Sequence, residues 1–166
     1  MKRLISFLLV LVVSTTLFGI LNAKQISIGY VLVGPHNDGG WSMRHHQGFQ
    51  SLTKHGYKVS MVEMVPESDS KKVFSKLARK HDIVFATSFG YMDAVLNVAK
   101  KFPNVKFEHA TGYKQADNAA NYGLKLYQAR HVQGVIAGMM TKTNKICYVA
   151  SFPIPEVMRE INTYYL

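Results

Sequence analysis

Three short segments hold the side chains most able to do chemistry: residues 34–41 (Gly34-Pro35-His36-Asn37-Asp38-Gly39-Gly40-Trp41), residues 86–93 (Ala86-Thr87-Ser88-Phe89-Gly90-Tyr91-Met92-Asp93) and residues 107–114 (Phe107-Glu108-His109-Ala110-Thr111-Gly112-Tyr113-Lys114). In the first, an ionised Asp38 accepts hydrogen bonds and donates none, while Trp41 offers a broad flat face. Together they suit a flat ligand bearing N–H donors. The same loop also suits a structural role, because its glycines allow a tight turn and Asn37 or Asp38 would cap a following helix. In the second, Thr87, Ser88, Phe89 and Gly90 bring hydroxyls, a ring and a small residue to a helix start, where free backbone amides would hold a polar ligand group.

Catalytic readings of these segments find little support. Ser88 lies outside any G-x-S-x-G turn and has no ordered base partner. Glu108 and His109 are neighbours on a strand and point to opposite faces, so they do not act on one substrate atom; one of them reads as a buried, hydrogen-bonded polar group. His45 and His46 diverge by about 100° on a helix, and the seven histidines form no metal-ligand pattern. No phosphate-binding glycine fingerprint occurs. No cofactor and no metal are expected.

The elements that must position these segments follow from hydrophobic period. Strands are expected over residues 25–33, 57–65, 82–87, 105–110, 121–124 and 145–151. Between them, a helix from about Trp41 carries Trp41, His45, Gly48, Phe49 and Leu52 on one face. A weaker helix over 70–79 turns Phe74, Leu77 and Ala78 inward. Another, after Gly90, uses Tyr91, Val95, Val98, Ala99 and Phe102, and Lys100, Lys101 and Pro103 mark its end. A further helix over 127–140 uses Val132, Val135, Ile136 and Met139, with Gly134 and Gly138 allowing its backbone close to the sheet. Val157, Ile161 and Tyr165 make a last apolar stripe. Strands linked by crossover helices form a parallel sheet covered on both faces, a doubly wound α/β fold. Ligands of such folds sit beyond the carboxyl ends of the strands, here the loops after Val33, Thr87, Ala110 and Ser151.

The chain opens with Lys2 and Arg3, continues through an uncharged apolar stretch over residues 4–20 and reaches small-residue Ala23, the pattern of a cleaved secretory signal at residues 1–23. A membrane anchor is the competing reading of that stretch. With the signal removed, no stable membrane insertion is expected. The single cysteine, Cys147, excludes an intrachain disulfide and, in an apolar run, reads as a buried small hydrophobe. The formal charge of +10 comes from scattered lysines rather than an ordered basic stripe, so a solvated surface is expected and nucleic acid is not.

Residues 34–42, 86–93, 100–114, 137–143 and 148–157 together resemble the basic membrane protein family of ABC-importer substrate-binding proteins, of the purine nucleoside receptor type. The resemblance covers nearly all of residues 25–166. It implies a type I periplasmic binding protein fold in which two lobes close on a purine base or nucleoside, with transport carried out by separate ABC permease subunits and an ATPase. It also places Asp38, Trp41 and the Thr87, Ser88, Phe89, Gly90 turn at the cleft. A two-lobe receptor needs roughly 300 residues, so residues 24–166 are expected to form an N-terminal lobe ending near the hinge, with the approach to that hinge at residues 151–156. The competing class is a doubly wound nucleoside-processing enzyme such as a hydrolase.

The exported form should begin at Lys24 in the periplasm. Mass spectrometry of the periplasmic fraction should find that amino terminus; a mature species retaining residues 1–23 would contradict the reading.

Overall fold

The computed structural model describes residues 24–166, and the signal read at residues 1–23 lies outside the described residues. Strands β1 (Ser27–Val31), β2 (Lys58–Val62), β3 (Ile83–Ala86), β4 (Lys106–Ala110) and β5 (Ala119–Tyr122) all pair in parallel, in the order β2-β1-β3-β4-β5. Helix α1 (Trp41–Lys54) connects β1 to β2, and α2 (Glu67–Ala78) connects β2 to β3. A 3-10 turn (Phe89–Tyr91) runs into α3 (Met92–Ala99), which leads to β4. This is the doubly wound α/β fold expected from the alternation of elements.

The two faces of the sheet have separate cores. Phe74 and Leu77 of α2 and Val95 and Val98 of α3 bury against Val31, Val84 and Phe107 on one face. Phe49 of α1 packs with Tyr30 and Leu32 on the other, its ring stacked 4.0 Å from that of Tyr30. The inward residues expected for α2 are the ones buried. Helix α3 ends at Ala99, with Lys100 and Lys101 following, as the basic residues and Pro103 require.

The step from β4 to β5 departs from the expected alternation, because a short loop replaces the crossover helix. Thr111 leaves β4 with a positive φ of 66°, and a turn pairs Ala116 with Ala119 through reciprocal backbone hydrogen bonds of 3.0 Å. Inside that turn, the Asn118 amide donates to the carbonyls of Ala99, Phe102 and Val105 at 3.1, 2.9 and 2.8 Å. One side chain thus satisfies the carbonyls left over where α3 ends and β4 has yet to begin.

Three expectations for the carboxyl-terminal part are corrected. Helix α4 (Leu126–Met140) packs on α5 (Pro155–Tyr164), not on the sheet. Gly134 allows that contact, since a Cβ there would stand 2.0 Å from the Tyr164 carbonyl oxygen, whereas Gly138 faces open space. The stripe assigned to the core is therefore exposed, Ile136 by 50% and Met139 by 82%. Residues 145–151 form no strand, because no neighbouring strand lies beside them and a lone extended segment has nothing to pair with. Cys147 is consequently exposed rather than buried. Among the described residues no helix is long and apolar enough to cross a membrane.

Replacing Asn118 with Ala should leave three carbonyls short of a donor and lower stability by about 1–3 kcal/mol. Urea unfolding of the variant checks this; an unchanged midpoint would mean that water replaces the amide at no cost.

Candidate functional site

Strand order reverses at β1, which lies between β2 and β3, so the loops leaving β1 and β3 diverge and open a crevice at the carboxyl edge of the sheet. A cavity of about 610 Å³ occupies that crevice. Val33, Gly34, Asp38, Trp41 and Ser42 line it from the loop after β1, Ser88, Phe89 and Gly90 from the turn after β3, and Thr111 from the end of β4. Glu67 reaches it from the start of α2. Across the opening stand Leu126 and Arg130 of α4, residues 151–154, and Glu156, Val157 and Glu160 of α5. The loops after Val33, Thr87, Ala110 and Ser151 therefore converge on one space.

Asp38 holds its own loop. Its Oδ1 accepts from the amides of Gly40 (2.8 Å) and Met43 (2.9 Å), and its Oδ2 from that of Ser42 (2.9 Å). These are the free donors at the start of α1, so the carboxylate caps that helix. Burial alone would raise the Asp38 carboxyl, but the amides of Met43, Gly40 and Ser42 outweigh it and hold the group at about 2. Most of the accepting capacity of Asp38 is thus committed within the protein.

Trp41 is the first residue of α1, and its indole N–H donates to the Thr87 carbonyl at 2.6 Å, tying the β1 loop to the β3 turn. The ring is pinned by its edge while still lining the cavity, with His45 4.5 Å away and tilted by 56°. Thr87 does not line the cavity. Its side chain is fully buried and donates to the Val31 carbonyl at 2.8 Å, joining the ends of β1 and β3 beneath the site. Of the six residues read from sequence, the fold thus brings Asp38, Trp41, Ser88, Phe89 and Gly90 to the cavity and sets Thr87 below it.

His109 is the buried partner of the Glu108–His109 pair. Its Nε2 lies 2.6 Å from the Ser88 carbonyl, which can only accept, so the ring donates there and shapes the turn from behind. Burial lowers the His109 imidazole below its ordinary range, against the opposing pull of the Ser88 and Asn121 hydrogen bonds. It faces the Ser88 carbonyl rather than the hydroxyl and so gives Ser88 no base.

Sequence reasoning missed Glu67, Thr111, Arg130, Glu156 and Glu160. Arg130 Nε donates to Glu160 Oε2 at 2.9 Å between α4 and α5, with the Glu160 side chain 6% exposed. Thirty residues separate the two partners in sequence, and no local spacing marks them. Glu156 and Glu160 do carry a signal, since residues four apart share a helix face. Burial first, and then Glu160, raise the Glu156 carboxyl. Among the described residues no group of three or more His, Cys, Asp or Glu side chains is arranged to hold a metal ion.

A doubly wound lobe with its cavity at the switch point, faced by a second helical segment, defines a solute-binding architecture. The fold matches that of an ABC transporter solute-binding protein from Aeropyrum pernix (TM-score 0.74, 20% identity, 84% of this chain and 41% of that one) and of one from Conexibacter woesei (TM-score 0.67, 19% identity, 84% and 48%). The chain belongs to the Bmp family, described as ABC transporter substrate-binding protein PnrA-like, which it matches over residues 25–166. It is 44% identical over 148 residues to a purine-binding protein of Brucella abortus, covering 86% of this chain and 42% of that protein. It is 39% identical over 142 residues to a Haloferax volcanii protein provisionally named an ABC transporter glucose-binding protein, covering 84% and 36%. The chain therefore spans about two fifths of the length of these curated relatives. The family and these relatives are substrate-binding proteins rather than enzymes.

Asp38→Ala should lower stability at neutral pH by about 0.5–2 kcal/mol, the usual cost of a lost helix cap. Because the folded carboxyl titrates below its ordinary 3.8, its contribution is fully present above that pH and lost as the pH falls toward about 2. Urea unfolding at pH 7 and at pH 2 should therefore separate variant from parent at the first and bring them together at the second.

Proposed function

We propose that this chain serves in the substrate-binding component of an ABC importer, taking a purine base or nucleoside in the periplasm and passing it to separate permease subunits without catalysis. The observation that carries this reading is the pair of rings, Trp41 and Phe89, brought together in a cavity at the switch point of a chain 44% identical to a purine-binding protein. Flat rings give a purine stacking surfaces, each worth about 1–3 kcal/mol per base. Ser88 adds a hydroxyl beside them. Asp38 and Thr87 act by position, the first capping α1 under Trp41, the second accepting the indole N–H on its carbonyl.

In this reading the chain leaves the sheet lobe at residues 123–125, earlier than the approach expected at residues 151–156, and residues 126–166 begin a second wall. Helices α4 and α5 pack on each other, and the outward side chains Val135, Ile136 and Met139 of α4 are exposed. On this chain alone, stacking offsets little of the roughly 4–15 kcal/mol of lost translational and rotational freedom.

Adenosine should accordingly bind residues 24–166 weakly, with a dissociation constant far above micromolar, and Trp41→Ala should weaken it about tenfold or more. Ligand-observed NMR with adenosine and with glucose checks this. Glucose binding without adenosine binding would favour the ligand in the name of the 39% identical relative. Free base released from inosine or adenosine would replace the receptor by a nucleoside hydrolase.

A further inference from the structure

The cavity also bears charge that stacking does not use. Four carboxylates line it, those of Asp38, Glu67, Glu156 and Glu160, against the single guanidinium of Arg130. Asp38 is committed to three backbone amides, and Glu160 to Arg130. Arg130 donates from Nε to Glu160 and from Nη1 to Gln133 at 2.9 Å, and the Glu160 carboxylate offsets its charge. The carboxylates of Glu67 and Glu156 have no hydrogen-bond partner among the described residues.

These two stand on different walls. Glu67 is the first residue of α2, and Glu156 lies in the first turn of α5. Glu67 lies directly over Gly90, where a Cβ would stand 1.5 Å from Glu67 Oε1, so the absent side chain at position 90 is what admits the carboxylate to the cavity. Acidic residues in a first helical turn also complement the helix dipole, and that role alone would explain their residue type. It does not explain two unpaired carboxylates lining the same cavity, one of them given room by a glycine on a third element.

We infer that Glu67 and Glu156 are the acceptors a ligand meets from opposite sides, and that they make the cavity select donor-bearing, uncharged ligands and reject phosphorylated ones. The inference deepens the purine reading and rests on it for the ligand class. A nucleoside offers amino and hydroxyl donors to both carboxylates. A nucleotide adds a dianion to a space whose lining carries four carboxylates against one guanidinium, and their repulsion weakens with salt.

Ligand-observed NMR on the chain should compare adenosine with adenosine 5′-monophosphate, and glucose with glucose 6-phosphate, at low and high ionic strength. The parent should bind the uncharged member at least tenfold more tightly at low salt, with the gap narrowing at high salt. Glu67→Gln and Glu156→Gln, separately and together, should narrow the gap several-fold at low salt, chiefly by strengthening the phosphorylated ligand. Equal binding of the two members by the parent, or an unchanged ratio in the folded variants, would overturn the inference while leaving the purine reading intact. A role confined to the helix termini predicts that second pattern, with a lower melting temperature. Discrimination seen only in the sugar pair would uphold the charge selection and remove the purine. Binding of none of the four would remove both.

Discussion

Because strand order reverses at β1, between β2 and β3, its outgoing loop and that of β3 must turn toward opposite faces, and the gap between them cannot be filled by either. The rest of the site is arranged around that gap. Thr87 ties the end of β3 to the end of β1 from below, and the Trp41 indole ties the β1 loop to the β3 turn from above. Without these two cross-links the walls would be independent loops. With them, Trp41 and Phe89 are held by the same frame that creates the opening.

The polar groups around the opening divide by whether their hydrogen-bonding capacity is already used. Asp38 reads in sequence as a ligand acceptor or a helix cap, and in the fold it caps the helix. His109, expected with Glu108 to point to opposite strand faces, is the buried, hydrogen-bonded member of that pair and donates to the carbonyl of Ser88. Arg130 and Glu160 neutralise each other between the two carboxyl-terminal helices. What remains available to a visitor is a set of aromatic faces, a serine hydroxyl and two carboxylates.

The carboxyl-terminal helices obey a different economy from the sheet lobe. In the lobe every helix buries its apolar face on the sheet. Helices α4 and α5 bury only the seam between them, through Gly134 and the Arg130–Glu160 pair, and leave Ile136 and Met139 in solvent. The segment between them keeps the composition of a buried strand but has no partner to make it one.

The sequence by itself determined the order of elements, the parallel doubly wound sheet and the loops that meet at the cavity, because hydrophobic period and turn residues are local properties and a parallel sheet follows from alternation. The inward faces of α2 and α3 were legible for the same reason. Trp41, Ser88, Phe89 and Gly90 were legible as cavity residues because they sit at strand ends. The tertiary structure alone decided which polar groups are spent and which are free. Asp38 could be told from Glu67 and Glu156 only once the amides of Gly40, Ser42 and Met43 were in place around it, and Arg130 met Glu160, thirty residues on in sequence, only when their two helices were packed together. Hydrogen-bond satisfaction is a property of neighbours in space, and periodicity describes only neighbours along the chain. The exposed stripe of α4 and the unpaired residues 145–151 follow the same logic: an apolar pattern states what a segment is able to bury, and only the surrounding fold supplies the surface to bury it against.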